Sequence, residues 1–155
     1  MVEENISLNR KALHNFHILE HFEAGIELKG TEVKSIRDGL SNLNNAFARV
    51  EGGQVFVYDL DIQPYARADG FTQHQPKVPR RLLLHRREID RLLEQSTIKG
   101  HTIVALRLYW KGSRVKVELG IAKGKDGRDQ RADLKERVSK REMDRERLNF
   151  NRRNS

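Results

Sequence analysis

Three short strings gather side chains suited to binding a polyanion: "LNRKALHNF" (8–16), "EVKSIRDG" (32–39) and "VPRRLLLHRRE" (78–88). In the first, Asn9 and His14 can hydrogen-bond base edges or 2′-hydroxyls, and Arg10 and His14 can stack on bases. In the second, Lys34 and Arg37 stand three apart and share one face of a short helix. The hydroxyl of Ser35 beside them completes a surface able to contact phosphates, although the same pattern describes an ordinary solvated helix face. The third carries Arg80-Arg81 and Arg86-Arg87 around an apolar triplet, and unpaired guanidiniums suit phosphate oxygens. Glu23, within "HFEAG", is the odd anion. It can accept from base amino groups, orient a neighbouring arginine or serve as a plain turn carboxylate.

Catalytic patterns are missing by comparison. The six histidines are scattered, and no GxSxG, phosphate loop or dinucleotide-binding glycine turn occurs. His17 and His21 have the spacing of a helical metal pair. Their stretch reads as a strand, however, where four residues span ~13 Å, too far for one ion to bridge. Cysteine is absent, so the chain has no disulfide framework and no thiolate chemistry. Neither a metal nor another cofactor is expected. No apolar run approaches the ~20 residues of a membrane span, and the first sixteen residues lack a signal-peptide core. The expectation is a cytoplasmic protein that is not an enzyme.

The elements that must carry these strings are short. "NFHILEHFEAGIELKG" alternates as two strands about a bend at Ala24-Gly25. "TEVKSIRDGL" reads as a helix capped by Thr31 and stopped at Gly39, with Val33 and Ile36 inward. Ala46–Val50 and Gln54–Tyr58 flank "EGG" as a hairpin. All three prolines fall in a long loop, "QPYARADGFTQHQPKVP". "RRLLLHRREIDRLLEQSTIKG" reads as a helix with Leu84, Ile89, Leu92 and Leu93 toward the core. A second hairpin turns at Lys111-Gly112-Ser113, where Tyr109 and Trp110 suit either barrel-end packing or base stacking on an open face. This order gives a mainly β fold, and a small antiparallel barrel with short helices best removes its strand edges.

The 155 residues carry 30 Lys/Arg against 22 Asp/Glu, and residues 121–155 hold twelve of those cations against seven anions. This last stretch has too few large apolar side chains to offset the entropy of ordering. Its residues 130–150 lack Gly and Pro, and they contain the i,i+4 pairs Asp133–Arg137 and Glu136–Lys140. A barrel domain over 1–122 and a basic tail over 123–155 are therefore expected. The tail is expected to be disordered when free and helical when phosphates screen its cations.

Beyond these patterns, the chain resembles the SsrA-binding protein (small protein B) family of bacterial trans-translation. The resemblance rests on "LNRKALHNF", "EHFEAGIELKGTEVKSIRDG", "NL" at 42–43, "IQPY", "RLLLHRREI", "IKGHTIVALRLYWKGSRVKVELGIAKGK" and "DQR". It implies an oligonucleotide-binding (OB) fold-like barrel that binds the tRNA-like domain of transfer-messenger RNA. It also implies a tail that enters the empty decoding site and mRNA channel of a stalled ribosome. Elongation factor Tu and alanyl-tRNA synthetase are implied companions through the RNA. By position, Asn9, Glu23 and Leu83 match family residues associated with RNA binding. Asn42, in "NL", joins Arg10, His14, Lys34, Ser35, Arg37, Arg80 and Arg81 in the expected RNA-contacting set. Lys123, Gly124 and Lys125 match a hinge, and Asp129 and Arg131 match the family's tail string, with Arg128 and Lys135 alongside. Gln130 and Asp126 depart from that string, each where a lysine is usual. Two other classes remain open: a structural RNA-binding protein of the ribosome, and a nuclease built on the scattered histidines.

Overall fold

The computed structural model describes residues 3–68 and 73–125. The order is β1 (Glu3–Leu8), α1 (Arg10–Asn15), β2 (Phe16–Ile26), α2 (Gly30–Arg37), β3 (Ser41–Asn42), β4 (Phe47–Glu51), β5 (Gln54–Tyr58), β6 (Asp61–Ile62), β7 (Arg80–Leu83), α3 (Arg86–Ser96), β8 (His101–Lys111) and β9 (Arg114–Gly124). Every strand pairing is antiparallel. β8 bonds to β4, β4 to β5, β5 to β7, β7 to β2, β2 to β9, and β9 back to β8. Six strands thus form a closed circuit in an OB-like arrangement, and closure leaves them no free edge. β1 pairs with residues 107–111 of β8, beyond the short segment that β4 occupies.

Turn chemistry fixes the two hairpins. Gly52 and Gly53 both have positive φ, as a type I′ turn between β4 and β5 requires. Between β8 and β9 only Gly112 does (φ 62°), the pattern of a type II′ turn. The interior is filled by Val55, Val57, Leu82, Ile103, Leu108, Val117, Leu119 and Ile121, with Ile36 of α2 and Leu92 of α3 packed onto them. Burying each such side chain contributes ~1.5–3 kcal/mol. A second, smaller apolar cluster lies under α1, where Ala12 meets Val104, Leu106 and Ala122, flanked by Phe16 and Ile18. Gly120 makes that contact close. A Cβ there would lie 2.8 Å from Leu106 Cδ1 and 2.9 Å from Ile18 Cγ2.

Several local expectations change. Residues 16–26 form one strand with no bend at Ala24-Gly25; its irregularity is a register shift between Ile18 and Glu20, which leaves Leu19 exposed. β1 and α1 precede it, both short and weakly patterned. α2 begins at Gly30 rather than at a Thr31 cap, and the Lys29 N–H is satisfied by Glu32 Oε1 at 2.8 Å. Arg80–Leu83 is a strand, and the helix starts only at Arg86, after His85, whose N–H is held by Glu88. Leu93 is 48% exposed, so the helix directs Leu92 inward without it. Lys123 and Gly124 are not a hinge. They pair with His17 and Phe16, and the Lys125 N–H donates to the Asn15 carbonyl at 3.0 Å. The expected helical tail, with Arg128, Asp129, Arg131 and Lys135, lies outside the described residues.

Candidate nucleic-acid interface

α2 is amphipathic, and its inward face is polar as well as apolar. Ile36 enters the core, while Lys34 and Arg37 are exposed on the other side. Each lies near an aromatic ring: Lys34 Nζ is 5.6 Å from the Tyr65 centroid and the Arg37 guanidinium 5.8 Å from that of Trp110. Below Trp110, a groove of about 260 Å³ runs past Gly25, Val33 and Leu83 to Arg114 and Lys116. Leu83 is 46% exposed at its edge, an apolar side chain presented to solvent among cations. Arg37, Arg114 and Lys116 have no carboxylate within ion-pair distance among the described residues. A groove with apolar walls and unpaired cations along its rim can hold a base against the walls and phosphates against the rim.

Glu23 projects from β2 on the neighbouring stretch of sheet. The Tyr109 hydroxyl donates to its Oε2 at 2.5 Å, and Lys111 Nζ donates to Oε1 at 3.0 Å. The Tyr109 bond is the main cause that holds Glu23 below its ordinary pKa; burial opposes it, and Lys111 and Lys116 add to the lowering. Burial first, then the bond to Glu23, pushes the Tyr109 phenol well above its ordinary value, so it remains a donor through neutral pH. Glu23 thereby fixes the end of β8 that carries Trp110. It orients a lysine and a tyrosine rather than an arginine.

Three members of the expected RNA-contacting set are buried inside the protein. Ser35 is 0% exposed, so its hydroxyl faces the interior instead of joining Lys34 and Arg37. Arg80 is 3% exposed and paired with Glu32. Its Nη1 donates to the Leu60 carbonyl at 2.7 Å, and Nη2 to the carbonyls of Gln75 and Pro76 at 3.1 and 3.0 Å. This arginine locks α2 to the loop before β7. The sequence pattern shows two adjacent cations, but alternation along β7 turns Arg80 inward and Arg81 outward. Asn9 is 1% exposed; its Oδ1 accepts from Ala12 N at 3.0 Å as the α1 cap, and its Nδ2 donates to the Ala105 carbonyl at 2.8 Å. It supports α1 rather than touching solvent.

The remaining members divide in two. Leu83 lines the Trp110 groove and Arg37 lies over Trp110, while Lys34 sits by Tyr65 and Glu23 by Tyr109 and Lys111; exposed Arg10 and partly buried His14 belong to α1. Exposed Asn42 sits in the small β3–β6 pair, where its Oδ1 accepts from Asn44 N. Exposed Arg81 is paired with Glu27 at 3.2 Å. Sequence reasoning left out Arg114 and Lys116. Their signal is the alternation along β9, where Val115, Val117 and Leu119 point inward and Arg114 and Lys116 do not.

The family model described as "SmpB protein" matches residues 6–149 of this chain. The chain belongs to the SmpB family. A protein named SsrA-binding protein from Carboxydothermus hydrogenoformans is 51% identical over 143 residues, covering 92% of this chain and 95% of that one. Its namesake from Geobacter sulfurreducens is 49% identical over 92% of this chain and 93% of its own. Among solved structures, a chain described under "tmRNA-SmpB: a journey to the center of the bacterial ribosome" is 41% identical. Its TM-score is 0.66, and the match covers 82% of this chain and 92% of that one. As an SmpB family member, the chain is matched in sequence over residues 6–149 and in fold over 82% of its length.

Proposed function

We propose that this SmpB family protein is the RNA-binding adaptor of trans-translation. In this reading the barrel binds the tRNA-like domain of transfer-messenger RNA. Residues following Lys125 then occupy the empty decoding site and mRNA channel of a stalled ribosome, so that the nascent peptide is tagged and the ribosome released. The carrying observation is the family match over residues 6–149, to which relatives named for binding SsrA RNA add support. The rimmed groove beside Trp110 supplies fitting chemistry, with apolar walls for bases and three unpaired cations for phosphates.

The tail's cations follow the last described strand in sequence, and in this reading they contact a second polyanion without competing for the first. On the same reading the tail begins after Lys125 rather than after residue 122, which the pairing of Lys123 and Gly124 within β9 supports. Elongation factor Tu and alanyl-tRNA synthetase join through the RNA, the setting is the cytoplasm, and the protein itself catalyses nothing. No helix among the described residues is long and apolar enough to cross a membrane.

Truncation after Lys125 separates the two parts. Affinity for the tRNA-like RNA in filter binding is expected to stay within about twofold, while peptide tagging on stalled ribosomes is lost. Equal loss of both activities contradicts the division of labour.

A further inference from the structure

A second cavity, of about 280 Å³, opens beside α1, away from the groove under Trp110. Phe16 and Phe47 form two of its walls, and Ala46 and Val104 contribute further apolar surface. Four asparagines line it together with Lys11: Asn9, whose side chain is held by Ala12 N and the Ala105 carbonyl, and Asn15, Asn44 and Asn45. Lys11 Nζ donates to Asn45 Oδ1 at 3.0 Å, which fixes that amide and leaves its NH₂ free to donate outward. The side-chain amides of Asn15 and Asn44 have no partner among the described residues. Phe47 extends the site onto the outer face of the β4–β5 hairpin. There it stacks on Tyr58 with centroids 5.5 Å apart, and the Arg49 guanidinium lies 5.2 and 5.6 Å from the two ring centroids. Glu51 is bonded to the Tyr58 hydroxyl at 2.5 Å and makes no ion pair with Arg49.

Each part has a matching feature in one ligand class. Aromatic walls take the face of a planar ring, unpaired carboxamides take its donor and acceptor edge, and Lys11 in the lining and Arg49 on the Phe47–Tyr58 stack supply cations for flanking phosphates. We infer that this cavity binds an unpaired nucleobase of RNA, separately from the Trp110 groove. The inference rests on the RNA-binding reading above and adds to it a second site on another part of the barrel. The site also adjoins the end of the described chain, since the Asn15 carbonyl accepts from Lys125 N. A base seated there lies next to the root of the tail.

The test is titration of the isotope-labelled full-length protein with the oligonucleotide (rA)₆, following the side-chain amide resonances of Asn15, Asn44 and Asn45. Those resonances are expected to move, and Asn45→Asp is expected to weaken binding about tenfold, because it keeps the acceptor for Lys11 but removes the outward donor. Phe47→Leu is expected to weaken it comparably by removing the stacking face. Stationary amides at saturating (rA)₆, or unchanged affinity in Asn45→Asp, overturn the assignment. So do amide shifts that appear on removing residues 126–155 with no RNA present, which make the chain's own tail the occupant. Binding of the tRNA-like RNA is measured in parallel. If that RNA binds while the amides stay still, the nucleobase site falls alone; if neither RNA binds, the RNA-binding reading falls with it.

Discussion

Helices α1 and α2 both present cations to solvent, yet they are attached to the barrel in opposite ways. α2 is fastened from within. Glu32 accepts from Lys29 N and from Arg80, while Arg80 reaches three further carbonyls, and beside them His74 bonds to Thr31 and to the carbonyls of Ile62 and Gln63. α1 rests on the outside, held by one asparagine cap and the small cluster around Ala12 and Leu106. The contrast teaches that a buried charged lock fixes the α2 groove in one geometry, whereas the α1 face depends on a close fit between small surfaces.

Breaking the lock has the largest expected effect. Arg80→Ala strands the Glu32 carboxylate in the interior, a loss on the order of 3–5 kcal/mol that thermal melting detects. Affinity for the tRNA-like RNA is expected to fall with it, although Arg80 never reaches the surface. The fit under α1 comes next. Gly120→Ala forces Leu106 or Ile18 to shift and is expected to cost ~1–3 kcal/mol, with hydrogen exchange accelerated in α1 and not in α2. Asn9→Ala removes the cap and leaves the Ala105 carbonyl short of a donor, for a loss of ~1–2 kcal/mol by denaturant titration. If Asn9→Ala instead weakens RNA binding with stability unchanged, the supporting role assigned to it is wrong.

Smaller effects sharpen the comparison at the surface. Arg37→Ala should leave the melting temperature nearly unchanged and flatten the dependence of log K on log salt by about 0.7–0.9, the loss of one phosphate contact. The pH response is the smallest. Glu23 has a folded pKa below the ordinary carboxylate value of 4.5, so the stability it contributes is fully present above that value. That contribution disappears as pH falls below 4.5 through the lowered pKa. Glu23→Gln is expected to lower the neutral plateau of a stability–pH profile slightly and to flatten its acid limb.

The hairpins were legible because their turns are chemical: Gly52-Gly53 and Gly112 adopt backbone angles that few other residues tolerate. Most of the barrel interior was legible for the same local reason, as apolar side chains alternate along β5 and the first half of β9 and run unbroken from Ile103 to Leu106 in β8. What escaped is non-local. Arg80 looks like half of a surface pair until Glu32, 48 positions away in sequence, is seen beside it. Asn9 looks like a base reader until α1 forms behind it. Leu93 has the spacing of a core residue, but α3 touches the barrel along too narrow a stripe to use it. The Trp110 groove combines residues from β2, α2, β7 and β9, and only barrel closure brings them together.

Closure itself depends on the final strand. β9 is the partner of both β2 and β8, with eleven-residue strands on either side of it. During synthesis every shorter nascent chain therefore carries two long rows of unsatisfied peptide groups, open to mispairing or capture by another chain. The protein gains its protection against aggregation in a single late step, when Arg114–Gly124 emerges and zips both borders at once.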